Sequence, residues 1–223
     1  MIRGARQVGK STLVREFSKE YESFIELNLE RSEDLKLFKP DRLKDIVEAI
    51  LLREGISLRS DSLLLFIDEI QESPKAVRLL RFFYEDFPKM HVISAGSLLE
   101  HSMKDISSFP VGRIQQIILH PFDFEEFVNA KGNDRILRVL NDIPLKPFAH
   151  EIILDLFHQY AIIGGMPEAV SNFIENNTFT GLNNVYEEIW QTYKDDIEKY
   201  GRNNNQKKAK IIPNAAFNIK YLS

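Results

Sequence analysis

Cysteine is absent from the 223-residue chain, so no disulfide framework, thiolate zinc site or thiol nucleophile is available to it. Long apolar runs are absent as well. The longest, Leu63–Ile67, falls far short of a membrane span, and the opening MIRGARQ contains no signal-peptide core. Neither sign of charge dominates: 29 Lys and Arg stand against 33 Asp and Glu, a formal net charge of −4. A globally basic nucleic-acid footprint is thereby excluded, and a local patch is not. What is present is 43% hydrophobic and 28% charged residues, enough apolar surface for a packed core and enough charge to keep it in solution. A soluble, cytoplasmic chain without a membrane partner is the expectation.

The first half alternates short apolar runs with helical periods, the pattern of a parallel α/β sheet with crossover helices. Helices are expected near Ser11–Glu20, Asp41–Glu54 and from the Ser73-Pro74 cap pair to about Phe87. Strands are expected at Phe24–Leu29, Leu63–Ile67, His91–Ser94 and Ile114–Leu119, with Gly96 ending the third. The unbroken run Leu63–Ile67 suits a strand buried on both faces. From Asp123 onward only helical patterns follow, beginning with an Asp123/Glu126 capping box. The remaining helices are expected near Asp134–Leu140, Phe148–Ile163, Pro167–Phe173 and Leu182–Tyr200. This shift places a boundary near Pro121, with residues 1–121 as an α/β domain, 122–200 as a smaller helical domain and 201–223 as a polar linker running into a further region.

Gly4-Ala5-Arg6-Gln7-Val8-Gly9-Lys10-Ser11 fits G-x-x-x-x-G-K-[ST] at every fixed position, with Thr12 opening the next helix. The glycines let the backbone turn tightly so that successive N–H groups point at phosphate oxygens. Lys10 supplies a charge for the β- and γ-phosphates, and the Ser11 hydroxyl is a ligand for Mg²⁺. The helix N-terminus adds donors and a favourable dipole. The plain alternative is a coincidental glycine turn. The pattern arises by chance in about one chain in a hundred of this size, and the amphipathic helix directly after it argues further against coincidence.

Leu63-Leu64-Leu65-Phe66-Ile67 ends in Asp68-Glu69. In an open α/β sheet ligands bind at the carboxyl ends of strands, which puts both carboxylates beside the glycine loop. Asp68 is the candidate Mg²⁺ ligand and Glu69 the candidate to orient or deprotonate a water. Taken alone, such a pair is commonly a solvated turn; the loop makes the functional reading several times stronger.

The stretches GARQVGKSTLVREF at Gly4–Phe17, FIELNLER at Phe24–Arg31, LLLFIDEIQ at Leu63–Gln71 and HVISAGSLLE at His91–Glu100 together resemble a phosphate-loop ATPase of the AAA+ superfamily. With FPVGRI at Phe109–Ile114, HPFDFEEF at His120–Phe127 and IIGGMPEAV at Ile162–Val170, the likeness narrows. It is to the bacterial and archaeal family of predicted AAA ATPases that carry a C-terminal nuclease-like region of unknown function. The resemblance implies ATP as the nucleotide and an AAA+-like phosphate-loop sheet followed by a helical lid. It implies that Ser97, with Ser94 as alternate, senses the γ-phosphate, and that Arg113 is an arginine finger given to a neighbouring subunit. Self-association, and a nucleic-acid or protein partner met through the C-terminal region, follow from the same likeness. Family members carry a hydrophobic strand ahead of the loop, where this chain has only Met1-Ile2-Arg3. The first strand is therefore expected to be largely missing, leaving its neighbours near Ser94 and Leu119 unpaired, in a chain that is a fragment of the longer family protein.

The leading expectation is Mg²⁺-dependent ATP binding with slow hydrolysis to ADP and phosphate. Its rivals are a nucleotide-gated interaction or DNA-contacting module with little turnover, and, third, a small-molecule kinase, for which no acceptor pocket is evident. Gly164-Gly165-Met166-Pro167 reads as a helix stop followed by a proline-started helix, and no chemistry attaches to it. The five histidines form no ligand constellation.

Overall fold

Leu63–Asp68 is buried at every position, and the first half of the molecule is built around it. A computed structural model describes residues 1–57, 62–97, 113–140, 142 and 144–201; the polar segment expected at 201–223 lies outside them after Gly201. Residue contacts divide the chain into Met1–His120 and Pro121–Ser223.

The first unit runs β1 (Ile2–Arg3), α1 (Lys10–Phe17), β2 (Ser23–Asn28), α2 (Ser32–Leu37), α3 (Leu43–Glu54), β3 (Leu63–Asp68), α4 (Pro74–Asp86), β4 (Met90–Gly96) and β5 (Ile117–Ile118). Among the described residues the strands form one sheet in the order β2-β3-β4-β1-β5, with parallel pairing throughout. Ser23 stands opposite Leu63 and Asn28 opposite Asp68, so β2 and β3 end together. Leu63, Leu65 and Ile67 pack with Ile25 and Leu27 under α3 and α4. Leu64 and Phe66 point to the other face, against Ile2, Val14 of α1 and Ala95. A strand covered on both faces has no solvent side to make polar, which is why its sequence does not alternate. Ser73 caps α4 by accepting a hydrogen bond from the Ala76 N–H, with Pro74 at the first helical position.

The first strand holds two residues, and the expectation that its neighbours are left unpaired is corrected only along those two. Ile2 and Arg3 do form a strand, lying between Ala95–Gly96 of β4 and Ile117–Ile118 of β5. The Met1 carbonyl accepts from the Ile117 N–H at 2.9 Å, and the Arg3 carbonyl accepts from the Leu119 N–H at 2.7 Å. The Met1 ammonium donates to the Gln115 carbonyl at 2.8 Å. The neighbouring edges are thus paired across this segment, because a parallel ladder needs only the residues that face each other, and those nearest the loop are present. β4 extends through Gly96 rather than stopping before it, and β5 is shorter than expected. The apolar pattern does not show α2, since its six residues hold fewer than two periods. It is fixed by a buried carboxylate: Asp34 accepts from the Asn28 N–H at 2.8 Å and from Arg53 Nη1 of α3 at 2.6 Å.

The second unit is helical: α5 (Phe124–Ala130), α6 (Asp134–Leu140), α7 (Pro147–Ile163), α8 (Pro167–Asn176) and α9 (Leu182–Gly201). The Asp123/Glu126 capping box forms reciprocally. Phe127, Ile163, Val170 and Phe173 meet in its core. No helix among the described residues is long and apolar enough to cross a membrane.

The Gly164-Gly165 pair acquires a structural reason. Phe122 lies across it, its N–H donating to the Gly165 carbonyl at 2.8 Å, while Tyr160 Oη donates to the Phe122 carbonyl at 2.9 Å. A Cβ on Gly165 would stand 2.0 Å from that carbonyl oxygen, which is backbone and cannot swing aside. Gly165→Ala is accordingly expected to cost about 1–3 kcal/mol, read as a fall in the thermal midpoint. A midpoint equal to wild type would contradict the close crossing.

Candidate functional site

Five parallel strands present their carboxyl ends at one edge of the sheet, and the turn from β1 into α1 lies there. Gly4 passes so close to the residue after β5 that a Cβ would stand 2.3 Å from the Leu119 carbonyl oxygen. Gln7 holds a left-handed conformation (φ 60°) without being glycine, and Val8, 3% exposed, anchors the turn in the core. Gly9, at φ 94°, is the N-cap of α1. Arg6 lies 3.7 Å from the Glu30 carboxylate. Ala5 is half-buried, and Thr12 is exposed on the first turn of α1.

Lys10 is 7% exposed, and its side chain folds back over the turn. Nζ donates to the Gly4 carbonyl at 3.1 Å and to the Ala5 carbonyl at 2.7 Å. Burial lowers its pKa from the ordinary lysine value, against the raising pull of the Glu69 and Asp68 charges and with a small lowering push from Arg6. One residue on, Ser11 Oγ donates to Asp68 Oδ2 at 2.6 Å, tying the start of α1 to the end of β3. The other carboxylate oxygen of Asp68 accepts from the Glu69 N–H at 3.0 Å.

Glu69 takes a left-handed backbone (φ 49°, ψ 44°) and leads into the 3-10 turn Ile70–Glu72. Burial raises its pKa above the ordinary carboxylate value; a hydrogen bond from Gln71 opposes this and the Asp68 charge adds to it. That bond runs from Gln71 Nε2 to Glu69 Oε2. Gln71 is 5% exposed, and its own carbonyl oxygen is buried with no partner among the described residues. Ser97 Oγ, just past the end of β4, is likewise buried and unpartnered. Each such orphan costs about 1–3 kcal/mol in a folded protein; two of the three among the described residues lie at this edge, the third being Asn172 Oδ1 of α8.

The structure therefore brings together Gly4, Ala5, Arg6, Gln7, Val8, Gly9, Lys10, Ser11 and Thr12 as one turn and helix start, with Asp68 and Glu69 against it. Ser97 follows the last residue of β4, whereas Ser94 sits inside that strand, opposite Ile67 and 2% exposed. Arg113 is not brought to this chain's loop. It pairs with Glu85 at 3.4 Å and lies 5.9 Å from the Tyr84 ring centre, by the amino ends of the strands. Gln71 escaped sequence reasoning: its polar side chain in a turn between buried Ile70 and buried Ser73 was the available signal, and nothing in its spacing names a task.

The pair formed by the Ser11 hydroxyl and the Asp68 carboxylate fits Mg²⁺ by its chemistry, since this ion takes hard oxygen donors and one or two protein ligands beside phosphate and water. Among the described residues no group of three or more His, Asp or Glu is gathered to hold a metal by itself.

A family model described as an AAA domain matches residues 1–128, and one described as a domain of unknown function matches residues 154–217. No curated protein matches the sequence. Among solved structures, PCH-2 of C. elegans is similar over 88% of this chain at 13% identity, with a TM-score of 0.44. This chain spans 60% of that protein's chain.

A buried carboxylate with a raised pKa weakens the fold in its ionised state. For Glu69 that penalty is absent below the ordinary value near 4.5, grows as pH rises from there to the raised folded value, and is constant above it. Glu69→Gln is thus expected to raise the thermal midpoint at neutral pH by about 2–4 °C, with the gain shrinking as pH falls from the raised folded value toward the ordinary carboxylate value. A variant less stable than wild type at pH 7 would contradict the burial argument.

Proposed function

Because the chain belongs to the AAA domain family, whose model covers 128 of its 223 residues, we propose that it binds ATP with Mg²⁺ and hydrolyses it to ADP and phosphate. The observation that carries this reading is the convergence of Lys10, Ser11, Asp68 and Glu69 at one edge of the sheet, with the Ser11 hydroxyl 2.6 Å from the Asp68 carboxylate.

In this reading the triphosphate lies on the Gly4–Ser11 turn and meets the N–H groups that open α1. Lys10 exchanges two carbonyl acceptors for phosphate oxygens, which are stronger partners for an ammonium because they are charged. Ser11 and Asp68 are the residues that hold Mg²⁺, which when bound spreads the charge developing on the β- and γ-phosphates. Glu69 orients the attacking water and takes its proton. A raised carboxylate pKa suits a base that must accept a proton near neutral pH. The water oxygen bonds to the γ-phosphorus as the bond to the bridging oxygen breaks, and ADP departs with that oxygen. Ser97, with Ser94 as alternate, contacts the γ-phosphate. Arg113, at the amino ends of the strands, serves a neighbouring copy, so self-association belongs to the reading. Residues 122–200 act as the lid, and the chain works in the cytoplasm.

Lys10→Ala is expected to weaken ATP binding at least about tenfold in isothermal titration, since a charge-assisted contact is worth that much or more. Unchanged affinity would overturn the phosphate-loop assignment. Asp68→Asn is expected to lose the Mg²⁺-dependent part of the affinity. Glu69→Gln is expected to keep binding and lose turnover by about 10²–10⁴. Hydrolysis by Glu69→Gln at the wild-type rate would remove Glu69 from the chemistry.

A further inference from the structure

Glu69 needs something to aim it. It sits at the junction of β3 and a short turn, in a left-handed conformation, on a side chain with several rotatable bonds. A carboxylate left to rotate there would face the water in only a fraction of its rotamers, and orientation governs the rate of a step of this kind. Gln71 supplies the fixing contact. Its Nε2 donates to Glu69 Oε2, leaving Oε1 as the oxygen that does not carry this contact and is open to a water.

We propose that Gln71 is a positioning residue for ATP hydrolysis, holding the Glu69 carboxylate by one oxygen so that the other is presented to the attacking water. The inference rests on the hydrolytic reading above and adds a residue to it. The geometry favours it over a packing role. Gln71 is 5% exposed, yet its carbonyl oxygen finds no partner among the described residues. An apolar side chain of the same length would fill the space without that loss, so the amide is retained for its donor. The turn that carries Gln71 is fixed at both ends, by the Glu72 N–H on the Glu69 carbonyl at 3.0 Å and the Ser73 N–H on the Ile70 carbonyl at 3.1 Å. It also packs against β4. The amide is therefore held on a braced element rather than on a free loop.

The test is steady-state hydrolysis together with ATP titration and thermal unfolding of the whole chain, for wild type, Gln71→Met and Gln71→Asn. Methionine keeps the length without the donor, and asparagine keeps the amide but is too short to reach. Both are expected to lower kcat by about tenfold to a hundredfold while ATP affinity stays within about twofold of wild type. A variant that folds as well as wild type and keeps its kcat overturns the role of Gln71 and leaves the hydrolytic reading standing. A kcat loss that only tracks a lowered thermal midpoint and a weakened affinity overturns it too, since that is what a packing role would give. A wild type that binds ATP without turnover overturns the hydrolytic reading itself, and this role with it.

Discussion

A lysine ammonium held at 7% exposure must be given partners, and Lys10 finds them in the two carbonyls of the turn it belongs to. An unpaired charge at that depth would cost several kcal/mol. The opposite charges of Asp68 and Glu69 stand close enough to act on it, and Arg6 is close enough to oppose them. The edge of the sheet is thus a small cluster of opposite charges in which Lys10, Asp68 and Glu69 each hold a hydrogen-bond partner from the protein. Such an arrangement is stable as it stands and ready to exchange partners, because each present acceptor of Lys10 is neutral and weaker than a phosphate oxygen.

The rest of the first unit serves that cluster. β3 delivers Asp68 from the middle of a dry core, so the carboxylate emerges on a rigid strand end. β1, short as it is, is paired on both sides and sets Gly4 against the Leu119 carbonyl, where only hydrogen fits. Among the described residues, two of the three non-glycine positions at positive φ, Gln7 and Glu69, lie at the same edge, as do two of the three buried side-chain oxygens without a partner, those of Gln71 and Ser97. Elsewhere, Ser73 caps α4 and the Asp123/Glu126 box caps α5. Strain gathered where charged groups meet, in an otherwise consistent fold, is the usual mark of a site.

Much of this was legible in the residues, for identifiable reasons. The Gly4–Ser11 spacing is a local pattern, and its chemistry depends on the backbone of one turn. The strand ending in Asp68 was legible because burial on both faces forces an unbroken apolar run. The Asp123/Glu126 box was legible because capping acts within four residues. What escaped depends on distant partners. α2 is held by Asp34 reaching Arg53 and the Asn28 N–H, a tertiary arrangement without a sequence period. The pairing of Ile2 and Arg3 comes from the strands on either side, which a three-residue stretch does not reveal. The need for Gly165 lies in the backbone of Phe122, far away in sequence.

The central claim is that the Lys10 and Ser11 side chains trade internal partners for a bound nucleotide. The most direct measurement is a crystal structure with Mg²⁺ and a non-hydrolysable ATP analogue. It is expected to show Lys10 Nζ released from the Gly4 and Ala5 carbonyls onto phosphate oxygens, and the Ser11 hydroxyl turned from Asp68 toward the metal. An analogue bound away from the turn, or bound with Lys10 still on its own carbonyls and beyond reach of phosphate, would contradict it.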